Sequence, residues 1–92
     1  MDKFPKQPNE RRDIDVNTED WMPESDYVAT ATSVVSPVGL TIESTTVTMA
    51  GVRAKVWVSG GTDRVDYKIT TTLTTNDGRI KEHEFMVKVR EL

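Results

Sequence analysis

The 92-residue chain has no cysteine, a single histidine at position 83 and no long apolar run. Without cysteine there is neither a disulfide framework nor a thiolate metal site, so nothing covalent supports what must be a thin core. A domain of this size buries only about 60% of the surface its unfolded chain exposes, which makes docking or self-association the natural source of further stability. The lack of an apolar run removes a membrane-spanning helix, and the start MDKFPKQPNERR has no apolar stretch of the kind a secretion signal carries. Clustered Lys and Arg are missing too. With a net charge of −3 and no basic stripe to neutralise phosphates, nucleic acid is not an expected partner. Helical periodicity is absent along the whole chain.

The charge that is present is unevenly placed. Cut after Asp26, residues 1–26 carry a net −4 and residues 27–92 a net +1. The first part holds three of the four prolines, Pro5, Pro8 and Pro23, and only scattered apolar residues, among them Phe4, Ile14, Val16, Trp21 and Met22. Such a segment buries too little surface to fold alone, yet two aromatics are unusual in a linker. The expectation is an extended N-terminal arm over 1–26 that gains order on its own domain or on a neighbour, and that leaves a folded domain when residues 1–22 are removed.

After Asp26 the composition turns to Val, Thr, Ile and Tyr, which fit strands. Strands are predicted near Tyr27–Val35, Leu40–Glu43, Thr45–Met49, Arg53–Ser59, Val65–Thr75 and Arg79–Arg90. Turn chemistry separates them at Ser36-Pro37-Val38-Gly39, Ala50-Gly51, Gly60-Gly61 and Asn76-Asp77-Gly78. Alternation puts Val65, Tyr67, Ile69 and Leu73 on one face and Asp66, Lys68, Thr70, Thr72 and Thr74 on the other. Phe85, Val87 and Val89 form a second apolar face, and Val52, Ala54, Val56 and Val58 a third. These three strands are predicted to form one sheet, covered by a second layer from the Tyr27–Met49 strands. The fold class is then all-β, a small immunoglobulin-like sandwich of about six or seven strands over 27–92. Gly60 and Gly61 mark a bend that needs positive φ.

Catalytic chemistry finds few carriers. His83 shares parity with Phe85 and reads as a packed residue at the edge of the core, with no serine and carboxylate spaced to work with it. The run Ser59-Gly60-Gly61-Thr62 lacks the Lys-Ser/Thr ending of a phosphate loop and precedes a strand. In DIDVNTEDWMPE, residues Asp13, Asp15, Asn17 and Glu24 match positions of a calcium loop, but Thr18 stands where glycine is required and Pro23 breaks the frame. The expectation is no enzyme, no metal and no cofactor. Apolar groups outside a core either mark contacts with other chains or are covered by the arm of the same molecule, through Trp21 or Phe4. Trp57 falls opposite Val56 and Val58, and Met86 opposite Phe85 and Val87. With Phe4, Arg11, Arg12 and Trp21 in the arm, these are the candidate interface residues.

From Val56 to Arg90 the pattern VWVSGGTDRVDYKITTTLTTNDGRIKEHEFMVKVR resembles the bacteriophage fiber-tail adaptor proteins, small virion components. The resemblance rests on Val56 to Thr62, Asp66-Tyr67, the turn from Thr75 through Gly78-Arg79, and Val89-Arg90. Upstream, Asp20-Trp21 and Pro37-Val38-Gly39-Leu40-Thr41 extend it, while Val34 stands where a tryptophan is expected. It implies a non-enzymatic protein of the virion neck or tail, made in the bacterial host cytoplasm. In this role it would sit in a symmetric homo-oligomeric ring and bridge tail machinery to fibers. It implies no catalytic or ligand-binding residues. Two other roles suit the same residues: a capsid decoration or head-completion protein, and a carbohydrate-binding module using Trp57, for which a second coplanar aromatic would be needed.

Overall fold

A computed structural model describes residues 2–17, 25–48 and 53–91. The described residues form seven strands and no helix: β1 (Asp2–Lys6), β2 (Arg12–Asn17), β3 (Val28–Ser36), β4 (Leu40–Thr48), β5 (Arg53–Gly60), β6 (Asp66–Thr75) and β7 (Ile80–Val89). They make two sheets, a four-stranded one in the order β1-β7-β6-β3 and a three-stranded one in the order β2-β5-β4. All neighbours are antiparallel except β1 and β7, which run parallel. The fold is all-β, and the inner faces of both sheets join in a single core.

Period-two alternation explains that core. In β5, Ala54, Val56 and Val58 point inward; in β6, Tyr67, Ile69, Thr71, Leu73 and Thr75; in β7, Phe85, Val87 and Val89. The buried Thr71 is satisfied across the layers: its hydroxyl lies 2.9 Å from that of Ser33, which in turn accepts from Thr45 of the opposite sheet at 2.8 Å.

Three expectations are corrected. The strands at 53–60, 66–75 and 80–89 do not share a sheet. Positive φ at Gly60 (74°) and Gly61 (101°) carries the chain from β5 in one layer to β6 in the other, and β3, not β5, lies beside β6. Alternation assigns a residue to a face but names no neighbouring strand. Second, the segments expected at Leu40–Glu43 and Thr45–Met49 are one strand, β4, whose register shifts between Ile42 and Ser44. An extra residue there reverses the parity of everything beyond it. Met49 and the Ala50-Gly51 turn lie outside the described residues.

Third, the segment expected as an arm is built into both sheets, so the cut after Asp26 does not divide arm from sandwich. β1 is an edge of the four-stranded sheet and β2 an edge of the three-stranded one. Ile14 and Val16 are buried and Phe4 half-buried against the core. The charged neighbours Asp13 and Asp15 made this stretch read as polar, yet they simply occupy the outer face of a strand whose inner face is apolar. A single lysine fastens the result. Lys6, at the end of β1, is buried and donates from Nζ to the carbonyls of Gln7 (2.7 Å) and of Gly60 (2.6 Å) at the end of β5. It thus links the two layers, and burial lowers its pKa although Glu10 opposes the shift.

Candidate functional site

Several of the residues that carry the resemblance gather at one end of the molecule, around the ring of Tyr67. Its hydroxyl accepts a hydrogen bond from the Thr62 amide at 2.9 Å. Gly39 (φ 138°) lies so close that a Cβ there would stand 2.7 Å from the Tyr67 hydroxyl. A Cβ on Gly61 (φ 101°) would stand 2.8 Å from Val89 Cγ2 and 3.3 Å from Leu40 Cδ1. Glycine is therefore required twice over at both positions, by conformation and by space. Arg90 closes the corner by donating to Asp66 at 2.7 Å. The run through Gly60-Gly61, the Pro37 to Thr41 element, Asp66-Tyr67 and Val89-Arg90 are thus parts of one junction that turns the chain between layers. Its polar groups bond to one another, and the arrangement is architectural.

The other end holds a second such device that sequence reasoning missed. Asp26, counted only as the last acid of the arm, has a side chain with no solvent exposure. One oxygen accepts from the amides of Tyr27 (2.8 Å) and Asp77 (3.2 Å), and the other from the Arg79 guanidinium (2.7 Å). The Thr75 hydroxyl in turn accepts from the Arg79 amide at 2.9 Å. This accounts for a turn written Thr-Asn-Asp-Gly-Arg: Thr75 and Arg79 hold it to Asp26. Burial by itself would raise the Asp26 pKa, but the hydrogen bonds from Thr75, Arg79 and the two amides outweigh it and lower the value from 3.8 to about 2.

A depressed carboxyl pKa contributes stability that is present above the unfolded value, near 3.8, and is lost as pH falls through the folded value. The thermal midpoint of the wild type should therefore fall between pH 4 and about 2. Asp26→Asn should lower the midpoint at pH 7 and flatten this acid limb, the two proteins converging near pH 2. Parallel pH profiles in a calorimetric titration would remove Asp26 from the acid response.

The candidate interface residues divide among different surroundings. Trp57 lies half-buried on the outer face of the three-stranded sheet, and the exposed Arg11 sets its guanidinium 4.1 Å over the indole. The same guanidinium forms an ion pair with Glu43, the residue skipped by the register shift in β4, next to Ser44, which lies opposite Trp57. Next to them, Lys55 reaches Asp13 at 3.3 Å. This pairing lowers the Asp13 pKa, while Arg11 and Ser59 lower that of Glu43. Arg12 is half-buried and donates to the Pro5 carbonyl at 2.6 Å, at the rim of an open depression of about 210 Å³ that Lys6, Glu10 and Arg90 also line.

Phe4 is half-buried and packs against the core. Its ring meets Phe85 edge-on at 5.6 Å, so it seals the core. Met86 is half-buried on the outer face of the four-stranded sheet, level with Lys3 and Lys68, on the opposite side of the molecule from Trp57. Trp21 lies outside the described residues. The structure brings Arg11, Glu43 and Trp57 together and keeps Phe4, Arg12 and Met86 apart from them.

Other sequence readings find their places as well. His83 is half-buried, with its ring 6.1 Å from that of Phe85. Asp13, Asp15 and Asn17 belong to a straight strand, whose geometry is not that of a calcium loop. Tyr67 is buried, so it offers no second platform beside Trp57 for a sugar.

No individual curated protein matches the chain. A family model does, that of the podophage GP4 fiber-tail adaptor protein gp77, and it matches residues 6–88. That span runs from the Lys6 link through the turns at Gly39, Gly60-Gly61 and Gly78 to Lys88 in β7, so it takes in most of the sandwich. The chain belongs to the podophage GP4 fiber-tail adaptor family.

Proposed function

We propose that this protein is a non-enzymatic structural component of a phage virion, placed at the neck or tail. There it bridges the tail machinery to the fibers through protein–protein contacts, with its copies in a symmetric ring. The family match supports the adaptor role, the virion location and partners among other tail proteins. The structure supports a rigid spacer: the glycines, Asp66-Tyr67 and Arg90 of the motif are spent on an internal junction, and two outer faces are left to meet neighbours.

The observation that carries the reading is the group on the outer face of the three-stranded sheet. Trp57 is a large aromatic outside the core, already stacked by Arg11 and flanked by Glu43, and tryptophan and arginine dominate the energetics of protein interfaces. Trp57→Ala with Arg11→Ala leaves the core untouched and should leave the thermal midpoint within a few degrees of the wild type. Incorporation into particles should fall by about 30-fold, the loss that a ~2 kcal/mol contact carries. Full incorporation of a folded double variant would sink the assignment of this face. Density for the protein over the capsid lattice, and not at the neck or fiber base, would replace the adaptor by a decoration protein.

A further inference from the structure

Four strands end the two sheets, and three of them are protected against adding another strand. β1 carries Pro5 with Asp2, Lys3 and Lys6; β2 carries Arg12, Asp13 and Asp15; β4 carries Glu43 and a register shift in its first half. Charge, proline and bulges are the usual means of blunting an edge. β3 has none of these beyond its first two residues. From Thr30 to Ser36 it runs in unbroken register with β6 and contains no charged residue and no proline. It lies at the end of its sheet, so among the described residues no strand occupies its far side.

The side chains around this edge match the backbone in character. Outward, Thr30, Thr32 and Val34 stand beside Thr74, Thr72 and Thr70, giving a neutral, β-branched surface on which Val34 is 67% exposed. Inward, Ala31 and Val35 are only partly buried, as are Ile42 and Val47 of β4 across the layer. An added strand that fits here needs small or apolar groups pointing inward and uncharged β-branched groups pointing outward. β3 is itself such a strand.

We propose that β3 pairs antiparallel with β3 of a second copy of this chain, joining two four-stranded sheets about a two-fold axis near Ser33. That register sets Thr32 opposite Val34, Ala31 opposite Val35 and Thr30 opposite Ser36 of the second copy. A two-fold contact sets residues equidistant from the axis opposite each other and doubles whatever net charge the edge carries. β1 carries a net +1 and β2 and β4 a net −1 each, so self-pairing of any of them gathers charge of one sign, whereas β3 from Thr30 to Ser36 carries none. The rungs formed are of the β-branched kind that stabilises sheets, and the pair covers Val34 and the partly buried Ala31 and Val35. Because such a contact closes at two copies, it is the form of the free protein and does not rest on the adaptor reading.

The test is sedimentation equilibrium on the full chain, at concentrations up to about 500 µM, as suits a small interface. The wild type should form a dimer. Val34→Lys and Val34→Glu should each be folded by circular dichroism and monomeric at the same concentrations, and an equimolar mixture of the two should recover the dimer. Trp57→Ala should dimerise like the wild type. A monomeric wild type over the whole range, dimers that ignore both Val34 substitutions, or a mixture that stays monomeric would overturn the proposal. A larger ring insensitive to Val34 would overturn it as well. So would a monomeric wild type that binds a tail protein through Val34, since the edge would then belong to a partner strand.

Discussion

A chain that starts at Pro23 is expected not to fold. This is the reverse of what an independent arm predicts, and it follows from the places of β1 and β2 at the edges of the two sheets. The truncation removes Ile14 and Val16, both buried, and Phe4, which packs edge-on against Phe85. Full burial of one aliphatic side chain is worth about 1.5–3 kcal/mol, and a small domain has only about 5–10 kcal/mol in all. It also removes Lys6 and its bond to Gly60, and with it the tie between layers. What remains would present β5 and β7 as new edges, both rich in valine and without their covering strands. Such edges associate. Circular dichroism of the truncated chain should show no cooperative thermal transition, and the protein should be recovered mainly as aggregate. A sharp transition with the wild-type strand spectrum would mean that residues 2–17 are dispensable to the core.

Replacing Gly61 with valine should be nearly as damaging. The backbone there has φ 101°, which a β-branched residue does not adopt without strain. Its Cβ would also stand 2.8 Å from Val89 Cγ2, within a corner already closed by Leu40 and Tyr67. Strain of about 1–3 kcal/mol and overpacking of a similar size add to about 2–6 kcal/mol. That is enough to leave much of the protein unfolded at 37 °C. Gly78 separates the two causes. It also has positive φ (93°), but nothing lies within 4 Å of a Cβ placed on it, so Gly78→Ala meets the conformational cost alone. Urea denaturation should show Gly78→Ala losing about 1–2 kcal/mol and Gly61→Val at least twice that. Equal losses would mean that the crowding around Val89 relaxes freely.

Much of the architecture was legible because the inner faces of β5, β6 and β7 alternate without a break, and strand ends fell within a residue or two of the turns that Gly, Pro and Asn announce. What alternation cannot convey is which strand lies beside which. Gly60-Gly61 was read as a bend, and only its position between Val58 and Tyr67 in space shows that it changes layers. The split of β4 was the visible trace of its register shift: Ile42 and Thr45 face the core at an odd spacing, and no strand without an extra residue can do that. The strand at 12–17 was legible in principle, since Ile14 and Val16 alternate with Asp13 and Asp15, but acid content outweighed pattern. For the candidate site, Trp57 was recognised from parity alone. Its stacking by Arg11 was not, because that contact depends on the chain returning from the β1 end of the molecule to start β2. Asp26 was illegible for a similar reason. Its partners Asp77 and Arg79 lie some fifty residues away, and local sequence holds no sign of them.

The parallel pairing of β1 with β7 joins Asp2–Lys6 to residues 85–89. During synthesis on the ribosome, β1 therefore waits, unpaired, until residues 85–89 have emerged. Contacts of such great sequence separation make folding slow and leave little of it to be done in stages. A copy terminated before residue 85 therefore leaves β1 without its partner and the four-stranded sheet unfinished.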